Sequence, residues 1–372
     1  MPNLKIVDDK IKQLHKAVFE AQTIAIIGHS LPDGDAICSA LALRNIIKNN
    51  CYTYKNGSWK KKKVDVFFDC EKLPDSLELF TKKTDEYVNL KKRPQTYDLV
   101  ISVDCNNESR MGKYEEIFKK SKFSINLDHH HDNTSFANLN FVTPMLSSTC
   151  ELIYKIYQLS LRKLYPYEIS DYALVQIFAG ILTDTNNMQN NADNPSTVKC
   201  LSDIISKIGV KQVTKIKEYL FQNQSKAKMA LMSFSHDKRF RKYYLDDSIC
   251  IVNLNYKIFA KVGAELNDAE GIVDSALTMQ GVKISILVLE KNKREFFVKL
   301  RGKDLDVSVI ASKFGGGGHE HMAGFSFKGN FNSIKYALIN ECEELVLKSE
   351  QPTIEENVKL LNILSNNEDN QK

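Results

Sequence analysis

Short apolar runs separated by amphipathic segments dominate the first half of the chain. The intervening segments are long enough for helices, and several show helical periodicity. Parallel strands require such crossover connections. The pattern therefore predicts an α/β domain with a mostly parallel sheet and helices on both faces. The expected strands are 23–27, 64–68, 97–103 and 122–127, and the expected helices are 5–22, 36–47, 147–161 and 171–182.

The second half of the chain alternates in a similar way on a smaller scale, which predicts a second, smaller α/β domain. Its expected strands are 249–254, 282–289, 295–300 and 324–327, and its expected helices are 268–279 and 307–314. Lysine-rich helical segments lie between the halves, and the chain ends in a polar stretch. The expected parts are a first domain over 1–205, a helical linker over 206–235, the second domain over 236–348 and a polar tail over 349–372, with an amphipathic segment at 354–364.

The composition is that of an ordinary globular protein, with 43% hydrophobic and 26% charged residues. No apolar run reaches the roughly 20 residues that span a bilayer, and the N-terminus does not resemble a signal sequence. We therefore expect a cytoplasmic protein without membrane association. The net charge of +5 is compatible with a nucleotide ligand but does not require one. The 8 cysteines contain no Cys-x-x-Cys pair, so neither a disulfide framework nor a zinc–thiolate site is expected.

Candidate chemistry appears first in the loop after the first expected strand. Residues 28–36 read Gly-His-Ser-Leu-Pro-Asp-Gly-Asp-Ala, and the carboxyl end of a buried strand is where open α/β sheets bind ligands. Asp33 and Asp35 stand two positions apart in this loop. Each is expected to hold one ion, and His29 stands beside them. We interpret this loop as half of a two-metal site.

Acidic and histidine residues follow later elements in the same way. Asp104 follows the third strand, Asp128, His129 and His130 follow the fourth, and Asp184 follows a helix. Parallel strands end at one edge of a sheet, so these side chains are expected to converge. Converging carboxylates repel one another, and bound cations relieve that repulsion. Carboxylate and imidazole donors without thiolates suit Mn²⁺, Co²⁺ or Mg²⁺, and the imidazoles favour Mn²⁺ over Mg²⁺.

Each of these residues also has a simpler explanation. A single aspartate after a strand is most often a turn or helix-cap residue, and a histidine run can lie on the surface. The joint pattern is harder to explain in this way, because six of the 8 histidines fall in three short motifs. His15 and His236 lie outside the motifs, and we interpret both as surface or packing residues.

The motifs resemble those of a known superfamily. The loop at 28–36, Val103-Asp104, Asp128-His129-His130 and Thr183-Asp184-Thr185 are similar to the four motifs of the DHH phosphoesterases. The resemblance extends from about residue 20 to about residue 330 and is greatest to the nanoRNase/pAp phosphatase family. It implies two α/β lobes with the active site in the cleft between them, and it is the sole basis for expecting a homodimer.

The resemblance implies a site for two divalent metal ions, for which Mn²⁺ is the first choice and Mg²⁺ and Co²⁺ are the alternatives. It implies that His130 and Asp104 are catalytic, with His130 facing the scissile phosphate, and that Asp128 orients a histidine. Three positions depart from the family pattern, namely Cys38, the additional His131 and Met322, and none of them is a predicted ligand. The implied ligands are His29 and Asp33 for one ion, Asp35, His129 and Asp184 for the other, and Asp104 for both.

A glycine-rich motif in the second half resembles that of the DHH-associated C-terminal domain. It consists of Gly315, Gly316, Gly317, Gly318 and His319, followed by Ala323-Gly324. Glycines let backbone N–H groups approach an anion closely. The resemblance implies that this motif and Arg301 bind the substrate. Phe314 and Phe325 are weak candidates for base stacking, for which core packing is the simpler expectation.

The implied activity is hydrolysis of short oligoribonucleotides to mononucleotides and removal of the 3′-phosphate of pAp to give AMP. A phosphodiesterase for pApA or cyclic di-AMP is the alternative enzyme, and its motifs would be the same. A nucleotide-binding regulatory protein on an inactive phosphoesterase scaffold is the non-enzymatic alternative. Degenerate motifs would indicate that alternative, but all six implied ligands are present.

Overall fold

The computed structural model describes residues 4–55, 58–70, 73–81, 96–161, 169–189 and 194–350. The chain divides into two compact units, residues 1–223 and 224–372. The expected amphipathic segment at 354–364 lies outside the described residues. No helix in the described part of the chain has the length and apolar character that crossing a membrane requires.

The first unit contains a five-stranded sheet in which every neighbouring pair is parallel, as the sequence predicts. The strand order is β4-β1-β5-β6-β7. Strand β7 was not expected, because it has only four residues and only one of them is buried. The strands are β1 (Thr23–Ile27), β4 (Lys63–Phe67), β5 (Leu99–Val103), β6 (Phe123–Asp128) and β7 (Leu139–Val142), and a separate antiparallel pair consists of β2 (Tyr52–Lys55) and β3 (Ser58–Lys61).

Helices cover both faces of this sheet because successive residues of each buried strand face opposite sides. Ile24 and Ile26 of β1 belong to the larger core, while Ala25 and Ile27 pack in the smaller one. The helices are α1 (Leu4–Glu20), α2 (Gly34–Asn50), α3 (Glu115–Lys119), α4 (Thr149–Ile156), α5 (Asp171–Asp184), α6 (Pro195–Ile208) and α7 (Val210–Phe221). All but α3 contribute to the larger core, and α3 contributes to the smaller one.

The second unit contains a six-stranded mixed sheet in the order β12-β13-β11-β10-β9-β8. Strands β9 and β10 are parallel, and every other neighbouring pair is antiparallel. The strands are β8 (Arg241–Tyr244), β9 (Ile249–Leu254), β10 (Ile284–Asn292), β11 (Glu295–Gly302), β12 (Gly317–His319) and β13 (Met322–Lys328).

Two helical layers enclose the second sheet. Ile286 of β10 faces the layer formed by α11 (Ser308–Lys313) and α12 (Phe331–Glu350), and Leu287 faces the other layer. The other layer consists of α8 (Lys226–His236), α9 (Tyr256–Val262) and α10 (Ile272–Leu277).

The helix expected over 268–279 is wrong in extent. A short 3-10 helix, Leu266–Ala269, comes first, and α10 begins only after Gly271, whose φ of 85° interrupts a continuous helix. Residues 206–235, expected to link the domains, form parts of α6, α7 and α8. Within this stretch, Ile216 is buried in the core of the first unit and Leu231 in a core of the second.

Candidate metal centre and substrate-binding residues

The loop between β1 and α2 places three of the predicted ligands. Asp33 is the N-cap of α2, and its Oδ1 accepts hydrogen bonds from the backbone N–H groups of Asp35 and Ala36 at 3.1 Å each. Gly34 begins the helix directly against α5, where a Cβ atom would lie 2.3 Å from the Thr183 hydroxyl. The glycine therefore permits close packing of the two helix ends, beyond its role in the turn.

The start of α2 separates the two aspartates. The segment is not extended at Asp35, because the helix has already begun at Gly34. Asp33 is a half-exposed cap residue with a side-chain exposure of 59%, whereas Asp35 lies in the first helical turn and is buried. The change from cap to helix therefore directs the two carboxylates into different surroundings.

Asp104 lies between two groups of ligand atoms. It follows β5 with a φ of 58°, a conformation that aspartate tolerates better than most residues, and its backbone N–H donates to the Leu127 carbonyl at 3.0 Å. Its Oδ2 lies 3.6 Å from Nε2 of His29, and its Oδ1 lies 3.7 Å from Nε2 of His129. One buried carboxylate thus presents a different oxygen to each histidine.

The two histidines after β6 have different partners. His129 has its Nδ1 3.4 Å from the Leu146 carbonyl and its Nε2 3.4 Å from Oδ2 of Asp184. His130 has its Nδ1 2.6 Å from Oδ1 of the fully buried Asp128, so that carboxylate fixes the second histidine. Asn133 in turn donates to Oδ2 of Asp128 at 2.6 Å. Carboxylates commonly orient catalytic or metal-bound imidazoles in this way.

Three groups of donor atoms are close enough to hold a cation, since within each group the atoms lie within 4.8 Å of one another. Together they contain every ligand that the sequence suggested. Their chemistry, carboxylate oxygen and imidazole nitrogen without sulfur, fits Mn²⁺ or Mg²⁺ better than a thiophilic metal. The groups are His29, Asp33 and Asp104; Asp35, His129 and Asp184; and Asp104, His129 and His130.

The electrostatics of these residues also fit a cation site. Burial raises the pKa values of Asp35 and Asp184 well above the usual range, and the charge of Asp104 acts in the same direction. Burial by itself lowers the pKa of His29, but Asp104 and Asp33 raise it overall to about 10. So many buried carboxylates are costly without counter-charge, and divalent cations would supply it.

The N-terminus of α4 holds two of the carboxylates, which sequence reasoning did not foresee. The backbone N–H groups of Thr149 and Cys150 donate to Oδ2 and Oδ1 of Asp35 at 2.7 and 3.0 Å. The Thr149 hydroxyl donates to Oδ1 of Asp104 at 3.1 Å. The one sequence signal for a helix start here was Ser148 followed three residues later by Glu151. In the structure the Ser148 hydroxyl accepts a hydrogen bond from the Glu151 N–H at 3.1 Å.

The predicted substrate-binding residues all lie in the second unit. Arg301 on β11 donates from Nε to Oδ1 of Asp274 at 2.8 Å and from Nη1 to the Leu300 carbonyl at 3.1 Å. Phe314 and Phe325 stack on each other within the core, with ring centroids 4.9 Å apart, so the simpler expectation for them is confirmed.

The glycine motif combines a helix end with an edge strand. Gly315 has a φ of 76°, and Gly317 begins β12, which pairs with β13. A Cβ atom at Gly316 or Gly318 would lie within 2.4 Å of a backbone oxygen, whereas one at Gly317 would meet nothing within 4 Å. Close packing thus explains Gly316 and Gly318, and it leaves Gly317 without a steric requirement.

Comparisons with known proteins identify the domains and the relatives of this chain. Residues 23–181 match the sequence profile described as DHH family, N-terminal domain, and residues 252–344 match the DHHA1 domain. The chain is 25% identical over 334 residues to a protein of Mycoplasma genitalium named bifunctional oligoribonuclease and PAP phosphatase NrnA, covering 84% of this chain and 91% of that protein. It is 23% identical to the cyclic-di-AMP phosphodiesterase GdpP of Geobacillus thermodenitrificans, covering 82% of this chain but 45% of that protein.

A solved structure shares the fold. The crystal structure of an exopolyphosphatase-related protein from Bacteroides fragilis superposes with a TM-score of 0.77 at 23% sequence identity. The match covers 92% of this chain and 96% of that one. The architecture of both units is therefore that of a known fold.

Proposed function

The chain belongs to the DHH family of phosphoesterases, and we propose that it hydrolyses short oligoribonucleotides to mononucleotides and removes the 3′-phosphate of pAp, using two divalent ions. The observation that carries the two-ion proposal is the position of Asp104. Its Oδ2 faces His29, which groups with Asp33, and its Oδ1 faces His129, which groups with Asp35 and Asp184. A carboxylate shared in this way suits two adjacent cations.

Each residue of the centre has a distinct task in this proposal. Two bound ions, for which Mn²⁺ is our first choice, would lower the pKa of a water molecule and polarise the phosphoryl oxygens. Asp104 would contact both ions, and Thr149 keeps its carboxylate in place through the 3.1 Å hydrogen bond. The remaining ligands would be His29 and Asp33 on one side and Asp35, His129 and Asp184 on the other.

His130 has a role of its own. Burial lowers its pKa, but the hydrogen bond with Asp128 and the charge of Asp104 raise the value overall to about 9. The two carboxylates therefore favour the protonated, imidazolium form of this side chain. Such a group donates a hydrogen bond to a phosphate oxygen or a proton to the leaving oxygen. We assign that role to His130, with Asp128 as its positioning residue.

The substrate class rests on the relatives. The Mycoplasma genitalium protein named bifunctional oligoribonuclease and PAP phosphatase NrnA matches more than four-fifths of this chain. The match covers about nine-tenths of that protein's own length. The match to GdpP favours a second candidate function, hydrolysis of cyclic di-AMP or pApA, but it extends over less than half of that protein. Arg301 and the motif from Gly315 to His319 are the substrate-binding residues in either case.

A substrate panel with Mn²⁺ tests the choice. Purified protein is assayed with pAp, pApA, cyclic di-AMP and RNA of two to ten nucleotides, and initial rates are compared at equal concentration. We expect the fastest turnover with pAp and the shortest RNA. A preference for cyclic di-AMP would replace our first choice with the second candidate, and no turnover of any compound would favour the nucleotide-binding regulatory protein.

A further inference from the structure

A fully buried carboxylate, that of Glu151, lies between the first turns of α4 and α6. Its Oε2 accepts hydrogen bonds from the Thr197 hydroxyl at 2.7 Å, the Ser147 hydroxyl at 3.0 Å and the Ser147 backbone N–H at 3.1 Å. Its Oε1 accepts a hydrogen bond from the Ser196 hydroxyl, and the Lys155 ammonium lies 3.6 Å from the same oxygen. Burial of a carboxylate is costly without such donors. The cluster is therefore a specific feature of the fold rather than an incidental contact.

These contacts exceed what a helix cap requires. In a capping box, the side chain at the third helical position returns to the backbone N–H of the N-cap residue. The carboxylate of Glu151 instead reaches Ser147, the residue before the N-cap Ser148. The donors Ser196 and Thr197 belong to another helix, and a cap of α4 would need neither of them.

The loop that Glu151 holds, residues 143–148, carries a hydrogen-bond acceptor for one of the proposed ligands. The Leu146 carbonyl lies 3.4 Å from Nδ1 of His129, and the Leu146 N–H donates to the Thr143 carbonyl at 3.0 Å. A carbonyl at Nδ1 selects the tautomer of a histidine whose Nε2 is free to bind a cation. Anchoring the loop next to Leu146 therefore fixes the orientation of the His129 ring.

The first turn of α4 follows this loop directly and holds a second ligand. The N–H groups of Thr149 and Cys150 donate to the Asp35 carboxylate at 2.7 and 3.0 Å. Glu151 lies in the same turn, so its hydrogen bonds to α6 fix the direction in which both N–H groups point. Asp35 and His129 belong to the same group of donor atoms. One buried glutamate thus supports two ligands of the same proposed ion.

The start of α6 contacts the loop at a second point. Asn194, the N-cap of α6, donates from its side-chain amide to the Met145 carbonyl at 2.5 Å. Together with the contacts at Ser147, this hydrogen bond braces the 143–148 loop against α6 on both sides of Leu146.

We propose that Glu151 is a positioning residue of the metal centre, which orients His129 through the 143–148 loop and Asp35 through the first turn of α4. This proposal rests on the proposed function, since it concerns residues that are expected to bind one of the two ions. It extends the support of that centre to Thr197 on α6, a helix that contains none of the predicted ligands.

The same two helices are joined a second time, farther along α4, which provides a matched control. The Asp203 carboxylate of α6 accepts hydrogen bonds from the Tyr154 hydroxyl of α4 and from the Gln158 amide and the Lys207 ammonium, the last two at 2.9 Å each. Asp203→Asn should therefore loosen the packing of α4 on α6 without releasing the 143–148 loop.

Mn²⁺ binding is the first measurement. Glu151→Gln keeps the size of the side chain but replaces one acceptor oxygen with an amide NH₂ group. The Mn²⁺ affinity of the full-length variant, obtained from the electron paramagnetic resonance signal of the free ion, should fall by about tenfold, as for other residues that orient metal ligands. Asp203→Asn should bind Mn²⁺ within about twofold of the unmodified protein, although both variants remove a buried contact between the same helices.

Amide hydrogen exchange measures the positioning without any metal. In buffer containing EDTA, the peptide over 143–151 should exchange at least about tenfold faster in Glu151→Gln, because the loop and the first turn of α4 lose their anchor on α6. Asp203→Asn should leave the exchange of this peptide unchanged.

A smaller change keeps the test decisive if Glu151→Gln does not fold. Thr197→Val removes one donor to the carboxylate while keeping the shape of a fully buried side chain. It should weaken Mn²⁺ binding by about threefold, the effect of one hydrogen bond. Thr197→Ser keeps the hydroxyl and should restore the affinity of the unmodified protein.

Two results would overturn the proposal: an unchanged Mn²⁺ affinity in Glu151→Gln, or an equal loss of affinity in Asp203→Asn. Should Glu151→Gln not fold, equal Mn²⁺ affinities in Thr197→Val and Thr197→Ser would overturn it. The proposed function fails by a different result, when unmodified protein that binds Mn²⁺ turns over no member of the substrate panel.

Discussion

Thr149 donates its hydroxyl hydrogen to Oδ1 of Asp104 at 3.1 Å, and its backbone N–H donates to Oδ2 of Asp35 at 2.7 Å. One fully buried residue at the start of α4 thus holds two of the proposed ligands, which come from different strand ends. A helix N-terminus is suited to this task because its free N–H groups and its dipole both favour carboxylates.

Thr149→Val should therefore weaken Mn²⁺ binding while keeping the size of the side chain. Loss of a hydrogen bond to a metal ligand typically costs about tenfold or more in metal affinity. Binding is measured by the Mn²⁺ electron paramagnetic resonance signal of the free ion. Thr149→Ser retains the hydroxyl and serves as the control, which should bind nearly as the unmodified protein does. Equal affinities in the Val and Ser variants would remove this positioning role.

Asp104→Ala tests the shared carboxylate directly. Because each oxygen of Asp104 faces a different histidine, its removal should reduce the Mn²⁺ stoichiometry and lower kcat/KM by at least about a hundredfold. Metal content by mass spectrometry and turnover of pAp provide the two measurements. Full Mn²⁺-dependent hydrolysis in this variant would contradict the two-ion mechanism.

Arg301→Ala tests whether substrate binding is separate from metal binding. The guanidinium is expected to contact a substrate phosphate, and loss of such a charged hydrogen bond should raise KM by roughly tenfold or more. The metal content should stay unchanged, because none of the three donor groups includes a residue of the second unit. Arg239→Gln, which removes an exposed arginine from the same unit, should change neither quantity. Loss of metal in Arg301→Ala would refute the assignment.

Local patterns were sufficient to predict the parallel sheet and the residues that follow its strands. Asp104 could be placed because the mostly apolar strand Leu99–Val103 ends directly before it, and Asp128 because it is the last residue of β6, in which Phe123, Ile125 and Leu127 alternate with polar residues. Convergence followed from the parallel arrangement, in which all strands end at one edge. The same reasoning does not reach β7, which has four residues of which one is buried. Helix α12 was missed although its buried residues Leu338, Cys342 and Val346 recur at helical spacing.

Contacts between distant segments could not be predicted from one sequence. The hydrogen bond from Thr149 to Asp35 joins residues that are 114 positions apart in the sequence. Gly34 must be a glycine because a larger side chain would collide with Thr183 of another helix. Local sequence predicts elements and their ends, whereas the supporting residues depend on how the elements pack.

Asp98 provides a prediction about stability. Its Oδ2 accepts from the N–H groups of Gln22 and Thr23 at 3.0 Å each, and the Lys122 ammonium lies 2.7 Å from its Oδ1. The Lys122 hydrogen bond is the main reason that the pKa of Asp98 falls to about 2. A carboxyl group whose pKa is lowered on folding stabilises the folded state at pH values above its unfolded pKa of 3.8.

Asp98→Asn should therefore lower the free energy of unfolding at pH 7 by about 2 kcal/mol. The difference from the unmodified protein should disappear as the pH falls from about 4 to about 2. Urea unfolding across this range measures it, Asp9→Asn on the exposed surface of α1 is the control, and a pH-independent difference would contradict the linkage.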